Sequence, residues 1–249
     1  MMNRLMFTVI LCVFCLFVST AQCKVHYAQN FDNLKEGDAD GQDGWAMGPP
    51  ADDETATTIT SDVKHGDTGK SMQVDPKQVV IRDFNPIIKS GIHFLSLWFR
   101  YELRDLTDDK LFIYIGEEIR EWAGGPVCYI GGNSGDPNKV TVYNGPTATP
   151  VGEDIKLGEW QHFFAVIDVD KQTLDVYVDD ELVADDFGWR NPGNHAGIGW
   201  LMLGFDRGQA GTIGYYDDIV FGEGDVLIPE AVQPAGKLAT TWGRLRMVN

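Results

Sequence analysis

Apolar and polar residues alternate with a period of two in the central part of the chain. In the stretch 92–102, one set of alternate positions is His93, Leu95, Leu97, Phe99 and Tyr101. The other set is Phe94, Ser96, Trp98 and Arg100. Side chains of an extended strand point alternately to its two faces. The stretch is therefore predicted to form one long central strand with two different faces.

Further strands are predicted along most of the chain. They are the stretches 78–84, 110–115, 127–130, 139–143, 160–169, 173–178, 198–205 and 214–221. Residues that favour turns separate several of them, as at 131–138 and 191–194, and residues 170–172 predict a tight hairpin loop. Helical periodicity is almost absent, and nothing repeats at a fixed period. The pattern therefore predicts an all-β sandwich or barrel and argues against a propeller or solenoid.

The N-terminus has the features of a signal peptide. Arg4 precedes an apolar run, residues 5–18, interrupted only by Thr8 and followed by the small residues Ser19, Thr20 and Ala21. The run is too short to span a bilayer comfortably, and no later stretch is long and apolar enough. Residues 1–21 are therefore predicted to direct export to the extracellular space or cell surface, with no transmembrane segment. Cleavage two residues later and lipid anchoring at Cys23 remain open alternatives.

The C-terminal residues differ in character from the rest of the chain. Prolines and a glycine interrupt the strand pattern after about residue 222, and the last residues are basic. Residues 22–222 are predicted to form one domain, and residues 223–249 a linker or tail that could serve in surface sorting. A disulfide between Cys23 and Cys128 is an open alternative, because these two cysteines remain after cleavage at residue 21.

The strong negative charge limits the choice of partners. The chain carries 37 acidic and 20 basic residues, for a formal net charge of −17. Nucleic acids and anionic membranes are bound through Lys and Arg, so neither is an expected partner. The excess of carboxylates is instead compatible with bound cations such as calcium.

Three stretches resemble the concanavalin A-like lectin/glucanase superfamily, and its bacterial laminin G-like modules in particular. The first contains Asn30-Phe31-Asp32-Asn33-Leu34, Gly37 and Gly41-Gln42-Asp43-Gly44-Trp45, the second runs from Gly158-Glu159-Trp160-Gln161-His162 to residue 183, and the third is 214–221. Together they bracket nearly the whole mature chain. The resemblance implies an antiparallel two-sheet jelly-roll sandwich in which the first and last strands pair.

The same resemblance implies a structural calcium ion at the paired first and last strands. The matching positions are Asp32, Gly37 through its carbonyl, and Asp217 or Asp218. Carboxylate and carbonyl oxygens are ligands that suit calcium and not zinc. Adjacent residues of a strand point to opposite faces, so only one of the two aspartates is expected to reach the ion, and the family pattern favours Asp217. The alternative is that both are simply solvated.

The sequence gives little support for catalysis. Retaining glucanases of this superfamily carry E-x-D-x-E on one strand face, and no predicted strand has this motif; the nearest match, residues 36–40, lies in a loop. Gln161 and His162 are adjacent and so face opposite ways, and the five histidines form no pair with the sequence spacing of zinc ligands. The prediction is a binding module, with a divergent glycoside hydrolase or polysaccharide lyase as the alternative.

Tryptophans in loops are the candidates for ligand contact. Trp45, Trp98, Trp160 and Trp200 lie in motifs or strand interiors and are predicted to be core residues. Two loops remain, and their candidate binding residues are Trp122, Trp189, Arg190, Asn191 and His195. An aromatic, a cation and amides in one loop suit a polysaccharide or a cell-surface glycan. The alternatives are that the second loop only closes the sandwich, and that the protein is a structural domain that binds other surface proteins.

Overall fold

The computed structural model describes residues 24–48, 57–102, 110–116, 124–131, 138–191, 197–205 and 212–224. Within these ranges the secondary structure consists of strands, and no helix there is long and apolar enough to cross a membrane. The strands are β1 (Lys24–Gln29), β2 (Gly37–Asp38), β3 (Trp45–Met47), β4 (Thr58–Thr60), β5 (Ser71–Val74), β6 (Val79–Ile88), β7 (Ile92–Glu102), β8 (Lys110–Gly116), β9 (Val127–Gly131), β10 (Val140–Asn144), β11 (Thr147–Val151), β12 (Trp160–Asp168), β13 (Thr173–Val178), β14 (Glu181–Gly188), β15 (Ile198–Phe205) and β16 (Ile213–Glu223).

All the predicted strands are present, with ends that differ by a few residues. The long central strand has the predicted bounds, Ile92–Glu102, and the hairpin loop at 170–172 joins β12 to β13. The strands β1 to β5, β11 and β14 were not predicted. β2, β3 and β4 have only two or three residues, too few for an alternation to be recognised, whereas β14 has eight. The predicted signal peptide and residues 225–249 of the predicted tail lie outside the described residues.

Two antiparallel sheets pack face to face as a jelly-roll sandwich. The nine-stranded sheet has the order β14-β13-β12-β7-β16-β5-β4-β2, with β1 beside β16, and the seven-stranded sheet has the order β11-β10-β9-β8-β15-β6-β3. The expected pairing of the first and last strands is confirmed, since β1 pairs with β16. One edge of β16 pairs with β5 at residues 214–216 and with β1 at residues 219–223, while β7 lies along its other edge.

The inner faces of the two sheets form one large apolar core. On β7 the residues Leu95, Leu97, Phe99 and Tyr101 belong to it, each at most 1% exposed. Tyr216 links the sheets, because its hydroxyl donates to the carbonyl oxygen of Phe112 on β8 at 2.6 Å. Cys128 lies in this core and forms no disulfide within the described residues, whereas Cys23, its partner in the alternative raised above, lies outside them. The alternate residues of β7 consequently lie on the outer face of the nine-stranded sheet.

Candidate functional site

A row of aromatic and polar side chains crosses the outer face of the nine-stranded sheet. Trp160 on β12 lies opposite Arg100 on β7, which lies opposite Tyr215 on β16, which in turn lies opposite Gln73 on β5. Side chains directly opposite each other on neighbouring strands have Cβ atoms about 4.5–5.5 Å apart. The four side chains, called the Trp160 row below, therefore form a continuous band across four strands.

A second row lies beside the first on the same face. His162 on β12 lies opposite Trp98 on β7, and Trp98 lies opposite Asp217 on β16. The imidazole of His65, from the loop before β5, stacks on Trp98 with ring centres 3.9 Å apart and also contacts Trp160 edge to face at 5.8 Å. His65 therefore joins the two rows into one aromatic surface.

The two tryptophans of this surface are partly exposed, and their indole N–H groups are unpaired. The Nε1 atoms of Trp98 and Trp160 are shielded from solvent and have no hydrogen-bond partner within the described ranges. A buried donor without a partner costs about 1–3 kcal/mol. A bound water or ligand hydroxyl that reached these groups would recover that free energy.

Charged groups surround the phenol of Tyr215. Arg100 donates from Nε to Glu102 at 2.8 Å. Burial raises the pKa of Tyr215, and the carboxylates of Glu102, Asp75 and Asp62 raise it further, while Arg100 lowers it. The phenol therefore stays protonated at neutral pH and can donate a hydrogen bond, and the surrounding carboxylates can accept one.

His162 is held neutral at the margin of the surface. Its Nε2 lies 2.8 Å from the hydroxyl of Ser96, and its Nδ1 lies 3.7 Å from a carboxylate oxygen of Asp180. Burial lowers the pKa of His162, although Asp180 and Asp179 raise it in part. The imidazole is accordingly uncharged at neutral pH and contributes an apolar face.

The prediction that Trp98 and Trp160 are core residues is wrong. Both lie on the outer face. Leu97 and Phe163 occupy the other alternate positions of the same two strands, and these positions face the core. Trp45 does lie in the main core, and Trp200 is buried in a separate cluster on the outer face of the seven-stranded sheet. The sequence did contain a signal for the outer face, since Trp98 belongs to the same alternate set as the polar residues Ser96 and Arg100.

The predicted binding loop that contains Trp189 pairs with Gly125, but Trp189 is not at the surface. Gly125 and Arg190 form an antiparallel bridge, with both N–H···O distances at 3.0 Å. Trp189 is 0% exposed, and its indole donates to the carbonyl oxygen of Thr173, which agrees with the alternative that the loop closes the sandwich. Asn191 is exposed and has a positive φ of 51°. Trp122 and His195 lie outside the described residues.

Arg190 borders an aromatic cluster on the outer face of the seven-stranded sheet. Its guanidinium lies over the ring of Tyr143 at 4.6 Å, and Tyr143 packs edge to face against Tyr129. Tyr114, Tyr129 and Trp200 are each at most 4% exposed, whereas Tyr143 is half-buried. This second surface thus offers a ligand one partly exposed ring beside a cation.

The predicted calcium ligands Asp217 and Asp218 both reach the same neighbour. Asp217 Oδ2 accepts from the backbone N–H of His65 at 3.1 Å, and Asp218 Oδ2 lies 3.0 Å from His65 Nδ1. A β-bulge follows Asp217, and Asp218 has a φ of 48°. The expectation that adjacent aspartates must diverge is therefore wrong here, because the bulge interrupts the strand alternation.

Of the two remaining predicted calcium ligands, Asp32 lies near the aspartate pair and Gly37 does not. Asp32 lies close enough to raise the pKa of both Asp217 and Asp218. Its Oδ1 accepts from the backbone of Lys70, whose ammonium donates to the carbonyl oxygens of Asp32 and Leu34 at 3.0 and 2.8 Å. Gly37 on β2 pairs with Ile59 on β4, which pairs with Met72 on β5. Met72 in turn pairs with Tyr216 on β16. Three strand spacings, ~14 Å, separate Gly37 from β16, so it cannot share an ion with Asp217.

It is unfavourable for Asp217 and Asp218 to be ionised together at this buried position. Burial, and then Asp218, raises the pKa of Asp217 to about 8. A bound cation would favour the ionised form of both carboxylates, and carboxylate oxygens are the ligands that calcium prefers. Within the described ranges, however, no three His, Cys, Asp or Glu side chains are already arranged to hold a metal.

Comparisons with known proteins support the fold. No family model matches the chain, and no curated protein matches it significantly. Among solved structures, the cellulose-induced protein Cip1 is 14% identical with a TM-score of 0.52, over 77% of this chain and 98% of that one. A sialidase is 13% identical with a TM-score of 0.54, over 82% of this chain and 19% of that one.

A third solved structure contains a sugar. It is a ligand-binding domain of botulinum neurotoxin serotype D in complex with N-acetylneuraminic acid, 9% identical with a TM-score of 0.50, over 84% of this chain and 45% of that one. The chain thus spans most of Cip1 but less than half of the other two. At such identities the likeness establishes the β-sandwich fold alone, and the narrower laminin G-like assignment stays a prediction.

Proposed function

We propose that this protein is a non-catalytic carbohydrate-binding module that binds glycan across the Trp160 row. The supporting observation is the row itself, in which an indole, a guanidinium, a phenol and an amide lie side by side on four strands. Aromatic faces pack against the apolar side of a sugar ring, and the polar groups bind its hydroxyls. One structural neighbour binds a sugar, N-acetylneuraminic acid, which supports carbohydrate binding in general and not a particular class of glycan.

The charge of the surface favours an uncharged glycan. Arg100 already pairs with Glu102, and Asp62 and Asp75 contribute further negative potential at Tyr215. With a net charge of −17, the protein repels polyanions at long range. The proposed ligand class is therefore a neutral polysaccharide. Export by the predicted signal peptide would place the module where such polymers occur.

Affinity electrophoresis through embedded polysaccharides tests the proposal. With calcium present, the wild type should be retarded by at least one neutral polysaccharide, and Trp160→Ala should weaken binding by about tenfold or more, since stacking aromatics are frequent binding hot spots. Trp160→Phe, which keeps a ring, should retain most of the affinity. Correct folding of each variant is checked by its melting temperature.

A matched variant on the seven-stranded sheet locates the ligand. Arg190→Ala removes the cation over Tyr143 and should leave retardation unchanged. If Arg190→Ala abolishes binding and Trp160→Ala does not, the ligand binds beside Asn191 and the Trp160 row is the wrong site. If no polysaccharide retards the wild type, the carbohydrate function is wrong, and a structural domain that binds surface proteins becomes the better interpretation.

We also propose that calcium stabilises the fold at Asp32, Asp217 and Asp218. After treatment with EGTA, adding calcium at about 100 times its Kd should raise stability by ~2.7 kcal/mol. For a domain of this size, that corresponds to a rise in melting temperature of ~5–11 °C. Asp217→Asn should abolish the shift, whereas Asp180→Asn, an exposed aspartate elsewhere, should keep it. Identical melting curves in calcium and EGTA would rule the site out.

A further inference from the structure

Two histidines far apart in sequence meet at one end of the sandwich. His26 lies at a bulge in β1, and His93 lies on β7, on the opposite side of β16. Their facing nitrogens, His26 Nε2 and His93 Nδ1, are 3.3 Å apart, and the ring centres are 5.3 Å apart. Phe221 on β16 contacts both rings and is itself stacked on Phe84. The pair therefore rests on a rigid apolar support.

The tautomer of His93 is fixed by its surroundings. Its Nε2 lies 2.9 Å from the carbonyl oxygen of Ser90, which can only accept a hydrogen bond. Nε2 therefore carries the proton, and Nδ1 presents its lone pair toward His26. A histidine that donates one ring N–H to a backbone carbonyl and directs the other nitrogen outward is in the usual arrangement of a metal ligand.

We propose that His26 and His93 bind a transition-metal ion such as zinc, nickel or copper. Two imidazole nitrogens at about 2.0–2.1 Å from a tetrahedral zinc ion are ~3.3–3.4 Å apart, which is the separation found here. Without the ion, His26 Nε2–H donates to His93 Nδ1. To bind the ion, His26 would carry its proton on Nδ1, and the two rings would turn until both lone pairs point at the metal. Imidazole ligands select this class of metal over calcium, so the ion differs from the one proposed at Asp217.

Glu223 is the candidate for a third ligand. It lies on β16, between β1 and β7. It is paired with Lys24 on β1 and with His93 on β7. Rotation of its exposed side chain would bring a carboxylate to the ion, and water would complete the coordination. Such an ion would connect β1 to β7 across β16 and so stabilise the attachment of the first strand.

Calorimetric titration of the metal-free full chain with zinc tests the site. In calcium-containing buffer, the wild type should bind one zinc ion, and His26→Gln and His93→Gln should each weaken binding by about tenfold or more. His162→Gln is the matched control, because His162 is also a buried histidine of the same sheet and lies in the other aromatic cluster. Its zinc affinity should equal that of the wild type.

Measurements on the wild type keep the test independent of variant folding. Pulsed electron paramagnetic resonance of the copper-loaded wild type should detect two coordinated imidazoles. One imidazole or none would overturn the proposal, as would the absence of zinc binding at millimolar zinc. The proposal would also fail if both histidine variants bound zinc as tightly as the wild type.

Discussion

Trp189→Ala should lower the free energy of unfolding by ~3–5 kcal/mol, the usual cost of removing a buried aromatic side chain. Trp189 is 0% exposed and belongs to the main core. Its backbone N–H donates to Gln172 and its indole to Thr173, so the residue fixes the end of β14 onto the hairpin before β13. The melting temperature should fall by ~6–20 °C, which chemical denaturation and calorimetry would measure.

Two matched variants separate core packing from ligand contact. Trp189→Phe keeps most of the buried ring and should cost less than the alanine variant. Arg190→Ala, at the next residue, removes a half-buried cation over Tyr143 and should cost about 1 kcal/mol or less. If Trp189→Ala kept its stability and lost glycan affinity instead, the loop would be a binding site, as its composition first suggested.

Gly204→Ala should be still more damaging, with a loss of about 4 kcal/mol or more, or no folded protein at all. Gly204 lies inside the seven-stranded sheet, between Val79 and Phe112, with a φ of +126°. A Cβ there would overlap the carbonyl oxygen of Gln78 and would lie 2.9 Å from the Cα of Val79. Both neighbours are backbone atoms of the adjacent strand, so a side-chain rotation cannot relieve the overlap.

Gly145→Ala provides the control for backbone strain alone. Gly145 also has a positive φ, +58°, but a Cβ there would meet nothing within 4 Å. Its replacement should cost only the ~1–2 kcal/mol of a left-handed conformation. Denaturant titration of both variants measures the difference, and equal losses at the two glycines would show that close packing at Gly204 contributes nothing.

The location of the proposed binding surface could be predicted only in part from the sequence. Alternation on β7 correctly separated Leu97 and Phe99 from Trp98 and Arg100. Aromatic residues occur in both sets, however, so residue type alone did not reveal that Trp98 faces outward. The Trp160 row became visible only when the register of β7, β12, β16 and β5 was known, because its members are spread over more than 140 residues.

Interruptions of the strand alternation also could not be predicted from the sequence. A strict period of two predicts that Asp217 and Asp218 diverge, yet the bulge turns both toward His65. A bulge depends on how β16 pairs with its neighbours, and a single strand's sequence does not carry that information. The same limit explains Gly37. The family motif placed it with the proposed calcium ligands, but the strand order puts it ~14 Å from β16.

By itself, the sequence determined the all-β class and the positions of most long strands, because both depend on local alternation. The pairing of the first strand with the last was implied by the family resemblance of motifs along the chain. The tertiary structure alone decided which side chains meet. His26 and His93 have no spacing that suggests a metal pair, and they become neighbours only because β1 and β7 flank β16. Contacts between distant residues follow from strand order and register, which are properties of the whole sheet and not of any one segment.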